Sequence, residues 1–420
     1  MTRRRLVALF GVSAGSALLA ACGQATTPTA APTSTTAPAK PAEAPKPTEA
    51  PKPTTAPAAG AATPAAKAGA VSRTTGVVTG PFEGEAKTLN GAGATFPAVL
   101  YSKWFEEYFK LTGVKVNYQS IGSGGGIKSI SDQTVDFGAT DGPMTDEQIK
   151  AAKGGEVLHV PAALGAVVPT YNIPGVAETL KFTPEALAGI YLGQIKKWND
   201  PKLVADNPSL AKIDKDVVVV HRSDGSGTTF IFVDYLSSVS PEWKQQVGVG
   251  TSVKWPAGLG GKGNEGVAGE VKQNPHSIGY VELIYALQNK LGVGQVKNQA
   301  GKFVEPKIDT VTAAASGAAS STGGVGDKIA PDLRASIVNA SGETAYPISG
   351  FTWLLAYRSM TEKAKAVALT RMMWWGIHEG QKFNADLGYA PLPEAIVKKG
   401  EDQILSINVT DQRAFPHDVA

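Results

Sequence analysis

Three short glycine-containing runs, each directly before a stretch with helical periodicity, constrain the fold of this chain most. They read GAGATF at 91–96, GSGGG at 122–126 and DGSGT at 224–228, and predicted strands at 114–121 and 217–220 precede the last two. A strand, a glycine turn and a helix in that order are typical of α/β units with crossover connections. Ligands of such sheets bind beyond the carboxyl ends of the strands, where these runs lie.

The chemistry of the three runs favours a negatively charged ligand. A helix N-terminus has unpaired N–H groups and a partial positive charge, and glycine lets an anion approach the backbone closely. Each run carries a Ser or Thr hydroxyl, and Arg222 stands just before the third run. Ser and Thr at helix starts usually serve only as N-caps. Three such runs together with one arginine nevertheless predict a cage for one small oxyanion.

Local sequence patterns predict several further secondary-structure elements. Residues 96–109 have apolar side chains at helical spacing, and 216–221 is a predicted buried strand before a helix at 228–236. Thr183 before Pro184 is typical of a capped helix start. The folded part, roughly 340 residues, is long enough for two lobes with a cleft between them. Four conspicuous side chains are assigned to packing or helix surfaces: Trp104, Trp374, Trp375 and His378.

The sequence pattern of residues 1–22 predicts a lipoprotein signal peptide. Three arginines at 3–5 precede an apolar run at 6–21, which is of secretory length and too short for a comfortable membrane span. Small residues then lead to Cys22, the only cysteine of the chain, as in a bacterial lipobox. Lipidation of Cys22 would anchor the protein to the outer face of the cytoplasmic membrane, or on the periplasmic side. The alternative is an ordinary signal peptide with a coincidental cysteine.

The composition of residues 23–81 predicts a disordered tether. The segment consists mainly of Ala, Pro and Thr with a few Lys and Glu, so it cannot bury a core. A coil of this length spans roughly 40–45 Å on average, which would keep a folded domain near its membrane. A specific proline-rich ligand segment is the alternative interpretation.

The charge of the folded part argues against nucleic acid as a partner. The chain has a net charge of +3. The three signal arginines and a surplus of two positive charges in the tether account for five, which leaves residues 71–420 at −2. A slightly acidic domain lacks the clustered basic face that nucleic acid requires. Local dipoles rather than global charge must therefore hold any anion.

Several enzyme-like motifs do not meet their requirements. The run 122–129 resembles a phosphate-binding P-loop, but Ile127 occupies a required glycine position. The run 258–263 fits GxGxxG, yet it follows Trp255 and Pro256 rather than a clean predicted strand. The five histidines are scattered, and no pattern typical of a metal site is present. The sequence therefore predicts no catalytic residue, no metal and no cofactor.

Seven longer motifs, in the same order along the chain, resemble the phosphate-binding proteins of high-affinity phosphate ABC transporters. The resemblance runs from about residue 89 to 393. The motifs are GAGATFP (91–97), VNYQSIGSGGG (116–126), VDFGATDGP (135–143), IYLGQIKKW (190–198), RSDGSGT (222–228), KWPAGLGGKG (254–263) and IGYVE (278–282).

The resemblance implies an α/β periplasmic-binding-protein fold of type II, with mixed sheets, helices on both faces and a hinge between two lobes. Lobe one would comprise residues 82–168 and 350–420, and lobe two residues 169–349. The chain would cross between the lobes at 167–172 and 346–353.

The resemblance also implies a phosphate site. Asp224 matches the carboxylate that steadies the arginine, and Phe96 would contribute its backbone N–H. The residues that match the family's ligands are Thr95, Phe96, Ser123, Asp141, Arg222, Ser226, Gly227 and Thr228. Three positions depart from the family's common residues: Gly124 and Thr140 replace serines, and His221 replaces an arginine.

The function implied is that of a monomeric, non-catalytic receptor which delivers inorganic phosphate to the permease and ATPase subunits of a phosphate ABC transporter. Two alternatives remain open. One is an enzyme on the same scaffold, such as a phosphatase, and the other is a receptor for a different oxyanion such as sulfate or molybdate. A nucleophile and base beside the anion would indicate the enzyme.

Overall fold

A computed structural model describes residues 77–320 and 332–416, with the side chains of 317–320 excepted. All of them belong to one compact unit. The predicted signal peptide, including Cys22, and residues 23–76 of the predicted tether lie outside the described residues. Among the described residues, no helix combines the length and the apolar character needed to cross a bilayer.

The strands form one large mixed sheet and two small ones. Along the large sheet the order is β2-β1-β3-β12-β4-β8-β6-β7, with β9 paired to β4; β5, β10 and β11 form a second sheet, and β13 and β14 a third. The strands are β1 (Thr88–Gly93), β2 (Lys115–Ser120), β3 (Phe137–Thr140), β4 (Val157–Asn172), β5 (Lys181–Phe182), β6 (Val218–Arg222), β7 (Leu259–Gly261), β8 (Ser277–Glu282), β9 (Gly292–Val293), β10 (Gln295–Lys297), β11 (Phe303–Val304), β12 (Ser349–Tyr357), β13 (Asn408–Val409) and β14 (Gln412–Arg413).

Helices connect the parallel strands. The described α-helices are α1 (Ala98–Thr112), α2 (Ser123–Ser131), α3 (Asp146–Ala151), α4 (Pro184–Tyr191), α5 (Pro201–Val204), α6 (Gly227–Val239), α7 (Pro241–Gln246), α8 (Gly263–Gln273), α9 (Leu283–Gln288), α10 (Ile308–Ser320), α11 (Lys363–Ile377) and α12 (Glu394–Ser406). Short 3₁₀ helices lie at Pro208–Lys212, Glu379–Phe383 and Ala385–Leu387. The order of strand, glycine turn and helix predicted from the sequence is confirmed.

Element boundaries differ from the sequence predictions by one to a few residues. The first helix begins at Ala98 rather than at residue 96, because Pro97 lies at its N-cap. The glycines at 124–126 lie inside the first turns of α2 rather than before it. At Thr183 the predicted cap is confirmed, since its hydroxyl oxygen accepts from the Ala186 N–H at 3.1 Å.

Two long buried strands occupy the middle of the large sheet. β12 runs antiparallel to the first part of β4, with Ser349 opposite Ala166 and Tyr357 opposite Val157. The remainder of β4, from 167 to 172, pairs with β8 instead. The predicted lobe crossings at 167–172 and 346–353 therefore coincide with these strands. That they act as a hinge between two lobes stays a prediction.

The aromatic side chains assigned to packing lie in the core. Trp104, Trp374 and Trp375 are buried, and the rings of Trp104 and Trp375 meet edge to face at 6.3 Å. His378 Nε2 lies 2.9 Å from Glu401 Oε1, which joins the end of α11 to α12. The prediction that these four residues belong to packing is confirmed.

A buried ion pair holds the first described segment on α11. Arg371 Nε lies 3.1 Å from Glu85 Oε2, and both side chains are fully buried. The guanidinium group also lies 5.0 Å from the Phe82 ring centroid and donates through Nη2 to the Gly80 carbonyl. Removing one partner would leave an uncompensated buried charge, which typically costs about 3–5 kcal/mol.

Candidate functional site

The predicted site residues come together where four helices begin. Thr95 precedes α1, Ser123 opens α2, and Ser226 caps α6. Each of these helices follows a parallel strand, so its N-terminus lies beyond the carboxyl end of the sheet. The fourth helix is α8, which follows β7. The side chains of Thr95, Ser123, Asp141, Arg222, Ser226 and Thr228 are all buried.

Two hydroxyl groups of the site accept hydrogen bonds from the same side-chain amide. Asn264, in the first turn of α8, donates from Nδ2 to Thr95 Oγ1 at 2.8 Å and to Thr228 Oγ1 at 3.0 Å. Its backbone N–H also donates to Thr95 Oγ1, at 3.2 Å. The loop before α1 and the first turns of α6 and α8 are thereby linked.

Ser123 links α2 to α6. Its hydroxyl oxygen accepts from the Gly227 N–H at 2.9 Å and from the Asp141 N–H at 3.3 Å. Gly122 before it adopts a φ of 86°, in the left-handed region that glycine tolerates best. A Cβ at Gly122 would also lie 2.3 Å from Asp224 Oδ2. The runs 122–126 and 224–228 can therefore lie this close only if residue 122 is a glycine.

Asp141 is a buried carboxyl group with neutral hydrogen-bond donors. Thr352 donates to Oδ1 at 2.9 Å, and the Ser123 hydroxyl lies 3.5 Å from Oδ2. Burial raises the pKa of Asp141 to about 7, although the hydrogen bond from Thr352 and the charge of Arg222 oppose that rise. The carboxyl group therefore changes its protonation near neutral pH.

Arg222 is held by a bidentate pair with Asp224. Nε donates to Oδ1 at 2.8 Å and Nη2 to Oδ2 at 2.6 Å. Burial raises the pKa of Asp224, but the hydrogen bond and charge of Arg222 outweigh that effect and hold it below its usual value. The remaining nitrogen, Nη1, is buried and has no hydrogen-bond partner among the residues that the structure describes. A fixed, buried cationic donor of this kind is suited to an anionic acceptor.

Ser226 and Phe96 are fixed by their own neighbours. The Ser226 hydroxyl oxygen accepts from the Thr229 N–H at 3.0 Å, so it caps α6. The Phe96 carbonyl accepts from the Tyr389 hydroxyl at 2.7 Å, and the Thr95 carbonyl accepts from Tyr285 at 2.5 Å. These bonds fix the peptide groups at the start of α1.

Sequence patterns did not indicate several residues of the site. They are Asn264, Thr352, Glu282, Tyr285 and Tyr389. For Asn264 a signal existed, because the GxGxxG run at 258–263 ends directly before it. The run does not follow a strand, as the sequence indicated, but a short strand, β7, lies inside it and α8 begins at its last glycine. The strand has only three residues, so no periodicity could reveal it.

The three departures from the family pattern have local explanations or effects. Gly124 donates its N–H to the Gly225 carbonyl at 2.9 Å, and a Cβ there would lie 3.0 Å from Gly225 Cα. His221 stacks on Trp255 with ring centroids 4.9 Å apart, and its Nδ1 lies 3.0 Å from the Arg222 carbonyl oxygen. The Thr140 hydroxyl donates a hydrogen bond to the Gly142 carbonyl.

Donor groups dominate the site. Hydroxyls that accept from N–H groups, helix N-termini and a guanidinium nitrogen without a partner among the described residues surround the carboxyl group of Asp141. Of the other carboxyl groups nearby, Asp224 is paired with Arg222, and Glu282 accepts from the Tyr389 hydroxyl. Among the described residues, no group of three or more His, Cys, Asp or Glu side chains could hold a metal ion. The arrangement can hold a small, multiply hydrogen-bonding anion.

Comparisons with known proteins identify the family of the chain. The family model of the PBP superfamily domain matches residues 22–369. A phosphate-binding protein PstS of Pasteurella multocida is 44% identical over 320 residues, which cover 76% of this chain and 90% of that protein. One from Xylella fastidiosa is 46% identical over 314 residues, covering 74% and 84%.

Solved structures show the same fold. A high-affinity periplasmic phosphate-binding protein (PfluDING), solved with phosphate, matches with a TM-score of 0.61 and 20% identity, over 79% of this chain and all of that one. The predicted α/β periplasmic-binding-protein fold is therefore confirmed. Together, the fold and the relatives show that the chain belongs to the PstS family of phosphate-binding proteins, within the PBP superfamily.

Proposed function

We propose that this protein is an extracytoplasmic receptor that binds inorganic phosphate with high affinity and delivers it to the permease and ATPase subunits of a phosphate ABC transporter. It acts without catalysis and without a cofactor. The observation that carries the proposal is the donor-lined site, in which no described residue forms a hydrogen bond with the buried Arg222 Nη1. A buried cationic donor without a partner is costly unless a ligand satisfies it.

The hydroxyl groups support the same ligand class. Ser123 Oγ accepts two hydrogen bonds and Thr95 Oγ1 accepts two, so each oxygen has used both of its lone pairs. Their protons can then only be donated. Phosphate, with four acceptor oxygens, fits such donors. Arg222, Ser226 and Thr228 complete the proposed ligand set, together with the backbone of Phe96 and Gly227.

Asp141 would select phosphate over sulfate. Near neutral pH phosphate still carries a proton, which an ionised carboxylate can accept in a short, charge-assisted hydrogen bond. Sulfate has no proton to offer, so above the Asp141 pKa of about 7 the ionised carboxylate would oppose it as an unpaired acceptor. Leaving a buried charged group unsatisfied costs on the order of 1–3 kcal/mol or more.

Calorimetric titration of phosphate-stripped protein with phosphate, sulfate and arsenate tests this function. We expect tight binding of phosphate, weaker binding of arsenate and binding of sulfate at least about a hundredfold weaker. Equal affinity for sulfate and phosphate would make the protein a general oxyanion receptor. Binding of none of the three would overturn the proposal.

The remaining features follow from the sequence. Lipidated Cys22 would anchor the protein at the outer face of the cytoplasmic membrane, and the predicted tether, residues 23–81, would connect it to the folded part. The end of that predicted segment already packs on the folded part, where Val78 is buried and the Gly80 carbonyl accepts from Arg371. That part would act as a monomer of two lobes, 82–168 with 350–420 and 169–349. Thr95 and Ser123 belong to the first lobe and Arg222 and Thr228 to the second, so the phosphate would lie in the cleft between them.

A further inference from the structure

We propose that Asn264 is a positioning residue which turns the hydroxyl protons of Thr95 and Thr228 toward the bound anion. The inference rests on the proposed function and deepens it. Asn264 is a fully buried residue in the first turn of α8, and it touches both hydroxyls.

The orientation of the Asn264 amide is fixed by a backbone group. Its Oδ1 accepts from the Glu282 N–H at 2.9 Å. A backbone N–H can only donate, so the oxygen of the amide must face Glu282 and the NH₂ group must face the two threonines. The donors of Nδ2 then point at Thr95 Oγ1 and Thr228 Oγ1.

This orientation decides the direction of the hydroxyl protons. Thr95 Oγ1 accepts from both the backbone N–H and the side chain of Asn264, so its own proton must point elsewhere. The Thr228 oxygen accepts from Nδ2 and cannot present its proton on that side. A hydroxyl left to itself can turn either a proton or a lone pair toward a neighbour. Asn264 removes that freedom for Thr95, which is left as a donor, and restricts it for Thr228, whose proton cannot face Nδ2.

A donor that is already oriented binds an anion without a reorganisation cost. In a buried site this preorganisation counts more than in water, because local dielectric screening is weak. Asn264 also joins groups that lie 169 and 36 residues away along the chain. Its effect on affinity should therefore pass through the two threonine hydroxyls rather than through a direct contact with the anion.

Double-mutant cycles on the full-length protein test this route. Phosphate affinity is measured by calorimetry for the wild type, for Asn264→Ala, and for Asn264→Ala in the backgrounds of Thr95→Val and of Thr228→Val. We expect Asn264→Ala to weaken phosphate binding about tenfold in the wild-type background and only about threefold in either valine background. A merely structural role would give the same loss in all three backgrounds, and that additive result would overturn the inference.

A matched control separates binding from stability. Asn298 is another buried asparagine, and its side chain donates to the backbone carbonyls of Gly342, Glu343 and Ala345. Asn298→Ala should lower the melting temperature without changing phosphate affinity. If Asn264→Ala does not fold, Asn264→Asp keeps the acceptor for Glu282, and its loss of affinity should likewise shrink in the valine backgrounds. A wild-type protein that binds no phosphate would instead overturn the proposed function, and the inference with it.

Discussion

The backbone N–H of Gly227 donates to the hydroxyl oxygen of Ser123 at 2.9 Å, across 104 residues of chain. This bond brings the first turn of α6 against the first turn of α2. It is possible only because Gly227 has no side chain, since a Cβ there would lie 2.5 Å from the backbone nitrogen of Asp141. The first turns of α2 and α6 can therefore lie this close only if residue 227 is a glycine.

Replacing Gly227 by alanine should separate these helix starts. Because the obstacle is backbone rather than a flexible side chain, we expect Gly227→Ala to weaken phosphate binding at least about tenfold, which corresponds to about 1.4 kcal/mol. Gly269 in α8 is the control, because nothing lies within 4 Å of a Cβ there. Gly269→Ala should keep full affinity and raise stability by up to about 1 kcal/mol. Equal affinity of the two variants, measured by calorimetry, would contradict the steric account.

Arg222→Lys should almost abolish binding. Lysine can replace the charge but neither the bidentate bond to Asp224 nor the buried Nη1 donor. We expect a loss of at least about a hundredfold, or about 3 kcal/mol, in phosphate affinity. Arg358→Lys is the control, since Arg358 forms an exposed ion pair with Glu156. An Arg222→Lys variant that binds as tightly as this control would exclude the arginine from the site.

Asp141→Asn should broaden the choice of anion. The amide keeps the shape and an acceptor for Thr352, but it no longer repels an anion that lacks a proton. We expect phosphate binding to persist while sulfate affinity rises at least tenfold, by about 1.4 kcal/mol. Asp132→Asn, at a surface ion pair with Lys128 and Lys153, should change neither affinity. If Asp141→Asn rejects sulfate as strongly as the wild type does, the carboxylate does not select the anion.

The same substitution should change how stability depends on pH. The pKa of Asp141 rises from 3.8 to about 7 on folding, so the folded state binds this proton more tightly than the unfolded state. Its contribution to the free energy of unfolding therefore falls as the pH rises from about 4 to about 7, by up to about 4 kcal/mol. In phosphate-free buffer, Asp141→Asn should melt at a higher temperature than the wild type at pH 8, and the gap should close toward pH 4. A gap independent of pH would show that the carboxyl group keeps its ordinary pKa.

Local sequence patterns predicted the elements of the fold and the individual groups of the site. The glycine runs marked three helix starts, and Thr183 marked a cap, because these signals lie within a few residues of each other. Arg222 stands out by its place directly before the third run, whereas Asp141 was predicted only from the family resemblance. Neither source predicts the network of contacts between these groups.

That network consists of contacts between residues far apart in the chain. Thr352 reaches Asp141 across 211 residues, and Asn264 reaches Thr95 across 169. Neither contact leaves a periodic or compositional trace, because a single threonine on a buried strand resembles any other strand residue. The order of the strands in the large sheet has the same origin: β12 lies between β3 and β4 although it begins 209 residues after β3 ends and 177 residues after β4 ends.

Cys22→Ser tests the proposed anchor. Serine cannot be lipidated through a thioether, so the variant should leave the membrane fraction while its folded part melts at the wild-type temperature. Fractionation of cells followed by immunoblotting measures the shift, with the wild type as reference. A Cys22→Ser protein that remains in the membrane fraction with normal processing would show that another feature holds it there.

The ion pair between Glu85 and Arg371 determines where a pull on the N-terminal side of the chain would act. The first described residues, 77–85, lie on α11, where this pair and the Phe82 ring hold them. Under the proposed anchoring at Cys22, a force from the membrane would therefore act first on α11 and its packing against Trp104. Because α11 also contacts β4, part of that force would reach one of the two strands of the predicted hinge.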